Sequence, residues 1–133
     1  MVLLYAINAN LESSGSEIQS KLEKLKSKWI INLVTVGRRT GLPRPVKVMF
    51  ILLDGNLFVR TSAKTNWGMN LIANPTVQAE LGDLKFTAET EKIDDDETIK
   101  NLHISYRRKY HLIDAISKTF LVRNRAVFFR IKT

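Results

Sequence analysis

"RPVKVMFILLDGNLFVRT", Arg44 to Thr61, is the stretch from which the fold is read. Its first half is an apolar run broken only by Lys47, and its second half alternates less strictly through Leu57 and Val59. Between them stands Asp54-Gly55, the dipeptide that accepts the positive φ angles of a tight primed turn. Two strands joined as a hairpin follow. Pro43 and Pro45 belong at the open mouth of the first strand, because proline cannot donate to an interior ladder. Upstream, Ile30 to Val36 is mostly β-branched and apolar and reads as another strand. The connection between the two is "VGRRTGLPRP", Val36 to Pro45, an arginine-rich turn between apolar strands. Downstream, Val77, Ala79 and Leu81 alternate, as do Leu84, Phe86 and Ala88, around a turn at Gly82-Asp83. A last strand, "AVFFRIK", turns Val127, Phe129 and Ile131 inward. Successive hairpins without strand–helix–strand alternation predict a mainly β protein. The six strands form an antiparallel sheet curled into a small barrel, with the helices outside.

Helical periodicity fills the gaps. In "SSGSEIQSKLEKLKSKW", Ile18, Leu22, Leu25 and Trp29 recur at helical spacing, and Ser14 with Glu17 has the spacing of a capping box. This predicts an N-terminal amphipathic helix within residues 1–29, with Lys21, Lys24, Lys26 and Lys28 on its polar faces. A short helix over Trp67 to Ala73 is expected, with Asn66 as cap and Asn74-Pro75 as stop. The acids Asp94, Asp95, Asp96 and Glu97 suit the positive end of a helix dipole. They open a helical segment over 94–121 whose buried stripe is expected at Ile99, Leu102, His103, Tyr106 and Tyr110, with a second stretch from Leu112 to Leu121. No repeat or linker interrupts the chain, so residues 1–133 read as one domain.

Composition narrows the function classes. The 133 residues are 44% hydrophobic and 26% charged, ordinary globular values. There is no cysteine, which excludes disulfides, thiolate metal sites and cysteine nucleophiles. The apolar head "MVLLYAI" is too short for a secretory core, and no apolar run approaches the roughly 18 residues of a membrane span. A cytoplasmic protein without a membrane segment is the expectation. The net charge of +8 favours anionic partners of some kind.

Familiar catalytic patterns are missing. His103 and His111 share no useful spacing with a carboxylate or serine, so neither a catalytic residue nor a metal ligand is assigned. No glycine-rich dinucleotide fingerprint or P-loop is present. What remains is a set of basic and small polar residues at strand ends: Arg38, Arg39 and Arg44, then Lys47, then Arg60, Thr61, Ser62, Lys64, Thr65 and Asn66. Pairing through the Asp54-Gly55 turn brings the far ends of the hairpin together, beside a helix start. Such a place would hold a phosphate through charge-assisted hydrogen bonds and helix amides. A scatter of rim charges on a basic barrel is the other reading of the same residues.

The segment "LVTVGRRTGLPRPVKVMFILLDGNLFVRTSAKTNWGMNLIANPTVQAEL", Leu33 to Leu81, resembles the deazaflavin-dependent nitroreductase family of the FMN-binding split-barrel superfamily. The likeness lies in Thr35-Val36-Gly37-Arg38, Gly41, Arg44-Pro45, Asp54-Gly55, Ser62, Trp67, Asn70-Leu71 and Ala73-Asn74-Pro75-Thr76-Val77. It implies a six-stranded split barrel and a hydride transfer between a bound flavin-type ring and a small organic substrate. It also implies a cofactor, the deazaflavin coenzyme (F-420) or FMN. By the same resemblance Arg39 and Arg44 hold the anionic part of the cofactor, and Ser62 and Lys64 belong to a phosphate loop. Val46, Lys47, Val48 and Met49 are the strand edge whose backbone faces the ring, and Trp67 and Asn70 lie on the helix that closes the loop. Arg60, Thr61, Thr65 and Asn66 complete the expected cofactor site. The expected partners are thus a phosphate-bearing cofactor and a small molecule, with a homodimer as the expected assembly.

Two departures stand out. The loop between Ser62 and Trp67 is only "AKTN", and Gly68-Met69 replaces the aromatic–histidine pair that usually follows the tryptophan. The competing readings are a cofactor-binding protein without turnover, and a nucleic-acid-binding barrel using "GRRTGLPR", "KLEKLKSK" and "YRRKY". Base stacking on a sheet needs exposed aromatics among the basic residues. Here the phenylalanines fall inside apolar strands, which argues against the nucleic-acid reading.

Overall fold

The hairpin at Asp54-Gly55 forms as its dipeptide requires, with φ of 53° and 79° at the two residues. The computed structural model describes residues 15–62, 64–111 and 126–133. In chain order these give α1 (Gly15–Leu25), β1 (Ile30–Val36), β2 (Pro43–Leu53), β3 (Asn56–Ser62), α2 (Asn66–Ala73), β4 (Thr76–Leu81), β5 (Leu84–Lys92), α3 (Asp96–Lys109) and β6 (Ala126–Ile131). The strands close into one antiparallel barrel in the order β1-β2-β3-β6-β5-β4.

Two strands serve both halves of the barrel. β2 pairs with β1 from Pro43 to Met49 and with β3 from Phe50 to Leu53. β5 pairs with β4 through Glu89 and with β6 from Thr90 to Lys92. The bend in β2 therefore falls between Met49 and Phe50, and there the ladder needs a partner from elsewhere. Tyr110, just past α3, provides it. Its hydroxyl lies 3.1 Å from the Phe50 amide, which donates to it, and 2.6 Å from the Phe50 carbonyl and 2.7 Å from that of Trp29.

The core follows strand parity. Ile31, Leu33, Val48, Phe50, Leu57, Val59, Val77, Ala79, Leu81, Leu84, Phe86, Phe129 and Ile131 fill the barrel. Ile18 and Leu22 of α1 join them. A second apolar layer lies outside, where Leu102, Tyr106 and Tyr110 cover Ile51, Phe58 and Phe128. β3 is buried along both faces from Leu57 to Ser62, which is why its apolar pattern is not a strict alternation. Asp95 caps α3: its carboxylate accepts from the Thr98 hydroxyl and amide, and these bonds hold its pKa below the usual carboxylate range.

Several expectations need correction. α1 ends at Leu25, four residues before Trp29, so Trp29 is not on its buried stripe. That ring is half-exposed and meets Tyr110 edge-on at 5.7 Å. Residue 14 and the capping box it would form lie outside the described residues. His103 is exposed, its ring edge-on to Phe128 at 5.0 Å, because the α3 stripe centres on Leu102 and Tyr106. The helix itself stops at Lys109, and the expected stretch from Leu112 to Leu121 lies outside the described residues. Among the described residues, no helix is long and apolar enough to cross a membrane.

Candidate functional site

The turn from Gly37 to Leu42 is closed by two backbone bonds, Gly37 N–H to Leu42 O and Gly41 N–H to Gly37 O, each at 2.8 Å. Space at Gly37 is the reason for a glycine: a Cβ there would sit 2.8 Å from Thr40 Oγ1 and 3.2 Å from the Leu42 carbonyl. Gly41 takes φ of 71°, which lets the chain reverse into β2. The turn thus projects Arg38, Arg39 and Thr40 to one side of the barrel.

On the facing side, the chain leaves β3 and turns sharply into α2. Thr65 is the N-cap, one residue before the expected Asn66, and its hydroxyl accepts from Gly68 N–H at 3.2 Å. The hydroxyls of Thr61 and Thr65 are hydrogen-bonded to each other, and each also lies near the Ser62 carbonyl. These hydroxyls are therefore committed to building the turn. A Cβ at position 68 would lie 2.8 Å from Thr65 Oγ1 and 3.0 Å from Thr61 Cγ2. Glycine at 68 thus leaves room for the Thr65 cap, which a Cβ there would crowd.

Between the two turns lies a cleft of about 780 Å³. Its cationic side chains are Arg38, Arg39, Arg44 and Lys64, and among the described residues no acid lines it. Gly37, Thr40, Pro45, Val46, Thr65, Asn66, Trp67 and Asn70 make up the remaining wall. Among the described residues, nothing engages the side-chain charges of Arg39, Arg44 and Lys64. Arg38 differs. Its Nη1 donates to Asn70 Oδ1 at 2.9 Å and to the Asn66 carbonyl at 3.4 Å, and its Nη2 to Asn66 Oδ1 at 3.3 Å. It is a strap from the β1–β2 turn to α2.

The sequence-predicted residues divide accordingly. Arg39, Arg44, Val46, Lys64, Thr65, Asn66, Trp67 and Asn70 meet in the cleft. The side chains of Lys47, Val48, Met49, Arg60, Thr61 and Ser62 do not line it. Val48 is in the barrel core, Met49 packs against the layer under α3, and Lys47 stands exposed opposite Asn32. Thr61 and Ser62 are buried at the end of β3. Arg60 is buried too, with its guanidinium 4.3 Å above the Tyr106 ring on the outer face of the barrel. Strand parity explains that last placement: Leu57 and Val59 point inward, so Arg60 points out with Phe58. Of the other cleft residues, Arg38 stood in the basic set without being assigned to the cofactor site, and Gly37, Thr40 and Pro45 were not assigned to it either. The signal for Arg38 was a hairpin turn short enough that neighbours of Arg39 must share its side.

The F420H(2)-dependent quinone reductase family pattern matches residues 7–113. The chain belongs to this family. It is accordingly an oxidoreductase of the deazaflavin-dependent class, with the coenzyme F-420 as the cofactor. No curated protein matches the chain significantly. Among solved structures, a conserved hypothetical protein from Mycobacterium tuberculosis is 22% identical, with a TM-score of 0.67 over 91% of this chain and 81% of that one. A structure named F420-H2 Dependent Reductase is 18% identical, with a TM-score of 0.61 over 79% of this chain and 95% of that one. A heme binding protein from Mycobacterium smegmatis is 16% identical, with a TM-score of 0.67 over 92% and 52%. At such identities the likeness is one of fold, and this fold hosts more than one kind of ligand.

Proposed function

We propose that the chain reduces a quinone-type acceptor with the deazaflavin coenzyme, and that the cleft beside the β1–β2 turn holds the anionic part of that coenzyme. The observation that carries the proposal is the meeting of Arg39, from the β1–β2 turn, and Arg44, at the start of β2, with Lys64, just before α2, in one cleft that no acid lines among the described residues. Three cations sharing one cleft, unengaged among the described residues, repel one another, an arrangement that an anionic ligand relieves. Arginine forks suit phosphate and carboxylate oxygens, while Lys64 acts as a point charge. The donor set therefore fits a phosphate-bearing group.

The coenzyme, when bound, supplies the hydride. The chain's own residues bind and orient. Arg39, Arg44 and Lys64 fix the anionic end, and Trp67 and Val46 offer apolar surface along the cleft wall. Such a division needs no side-chain triad, because the organic chemistry belongs to the cofactor.

The test is titration of the purified protein with the deazaflavin coenzyme and, separately, with FMN, followed by absorbance and fluorescence. Binding of the deazaflavin at micromolar concentration, with quinone-dependent oxidation of its reduced form, is expected. Tight binding of FMN alone would overturn the cofactor assignment, and binding without turnover would leave a carrier.

A further inference from the structure

Thr35 contributes no surface to the cleft, being fully buried in β1, yet its hydroxyl is hydrogen-bonded toward both cleft walls. Thr35 Oγ1 donates to the carbonyl of Arg44, its cross-strand partner, at 3.2 Å. The same oxygen accepts from Asn70 Nδ2 at 3.2 Å. Asn70, only 4% exposed, presents its Oδ1 to Arg38, accepting from the backbone N–H at 3.2 Å and from Nη1 at 2.9 Å. The result is a relay, Arg44 to Thr35 to Asn70 to Arg38, whose middle members are buried and whose ends line the cleft.

The direction of this relay is set by chemistry. A hydroxyl has one hydrogen, so donation to the Arg44 carbonyl leaves Thr35 only as an acceptor toward Asn70. Asn70 must therefore turn its NH₂ to Thr35 and its oxygen to Arg38. A reversed amide would place two acceptors together at one end and two donors at the other.

We infer that Thr35 is a positioning residue for the cleft: its hydroxyl orients Asn70, Asn70 places Arg38, and the same hydroxyl anchors the backbone that carries Arg44. This inference rests on the reading that the cleft receives an anionic group. The competing role is simple packing by the Thr35 γ-methyl, and two substitutions separate the roles. Thr35→Val keeps the shape and the methyl but removes the hydroxyl. Thr35→Ser keeps the hydroxyl and removes the methyl.

Two readouts are needed, one without any ligand. In the free protein, hydrogen exchange at the Arg38 backbone amide should quicken about tenfold in Thr35→Val, with the Phe50 amide as an unaffected reference. Thr35→Ser should exchange like the parent. In titrations with the deazaflavin coenzyme, Thr35→Val should bind about tenfold more weakly, and Thr35→Ser within about twofold of the parent. If the parent protein binds no coenzyme, the functional reading fails, while the exchange measurement still decides the relay. Unchanged Arg38 exchange in Thr35→Val, or equal impairment in Thr35→Ser, would overturn the inference.

Discussion

Cations sit against β2 at both of its ends, and they are used in opposite ways. At the N-terminal end, Arg39, Arg44 and Lys64 face an open cleft with their charges unengaged among the described residues. Past the bend, Lys109 is turned inward: its Nζ donates to the Phe50 carbonyl at 3.0 Å and lies 3.8 Å from the centre of the Phe50 ring. Arg60, on the neighbouring strand, stacks on Tyr106. One set has been left without internal partners, and the other is absorbed into the packing of α3. The difference teaches how to read a basic protein: the number of positive charges says little, and whether the fold has already satisfied them says much.

The largest effect should come from emptying the open end. Arg44→Ala combined with Lys64→Ala removes two charge-assisted contacts of about 1.5–3 kcal/mol each. Coenzyme affinity should fall at least a hundredfold by titration, while the melting temperature stays nearly constant, since neither side chain packs in the core. An unchanged affinity would mean that the anionic group binds elsewhere.

The closed end should respond in the opposite sense. Tyr110→Phe leaves the Phe50 amide without its partner in the bend of β2, at a cost of about 1–3 kcal/mol. Denaturant melts should show this loss, and coenzyme affinity should hardly move. A variant that loses affinity but not stability would erase the distinction between the two ends.

A smaller cost, about 1–2 kcal/mol, is expected for Gly68→Ala, whose Cβ displaces the Thr65 cap. Circular dichroism melts measure it. Last is a pH effect at Lys109, which partial exposure screens. Burial pushes its ammonium down to about 8, although the Phe50 carbonyl and the neighbouring rings favour the charged form. Between about pH 8 and the ordinary lysine value of about 10.4, the unfolded chain then binds more protons than the folded one. Stability should rise with pH across that window and be lower and flat beneath it. Lys109→Met should flatten the slope in denaturant melts at a series of pH values.

Much of this contrast was legible in the residues themselves. Asp54-Gly55 announced its hairpin, and a hairpin's geometry carries Arg44 toward Lys64 without further information. The alternation in β4 and β5 likewise placed Val77, Ala79, Phe86 and Ala88 inside. Illegible features were those decided by distant partners. Nothing near Phe50 signals a bend, because its missing ladder partner is the hydroxyl of Tyr110, 60 residues away. β2 and β3 are apolar on both faces along much of their length, so periodicity could not say which residues meet α3. The placing of Arg60 over Tyr106 was hidden for that reason, and Trp29 looked like helix core because its spacing happened to continue that of Leu25.

Closure of the barrel also bears on how this chain can meet another. The strands follow one another around a closed ring, yet β2 pairs with β3 only from Phe50 to Leu53 and β5 with β6 only from Thr90 to Lys92, so among the described residues one edge of β2 from Pro43 to Met49 and one edge of β5 from Leu84 to Ala88 have no strand beside them. Backbone groups along those two edges are where a ligand or a second strand can be met, while the edges already paired are closed to extension of the sheet. Sequence change in the connecting turns can reshape the ligand end while the strand pairings stay fixed, leaving the turns free to diversify.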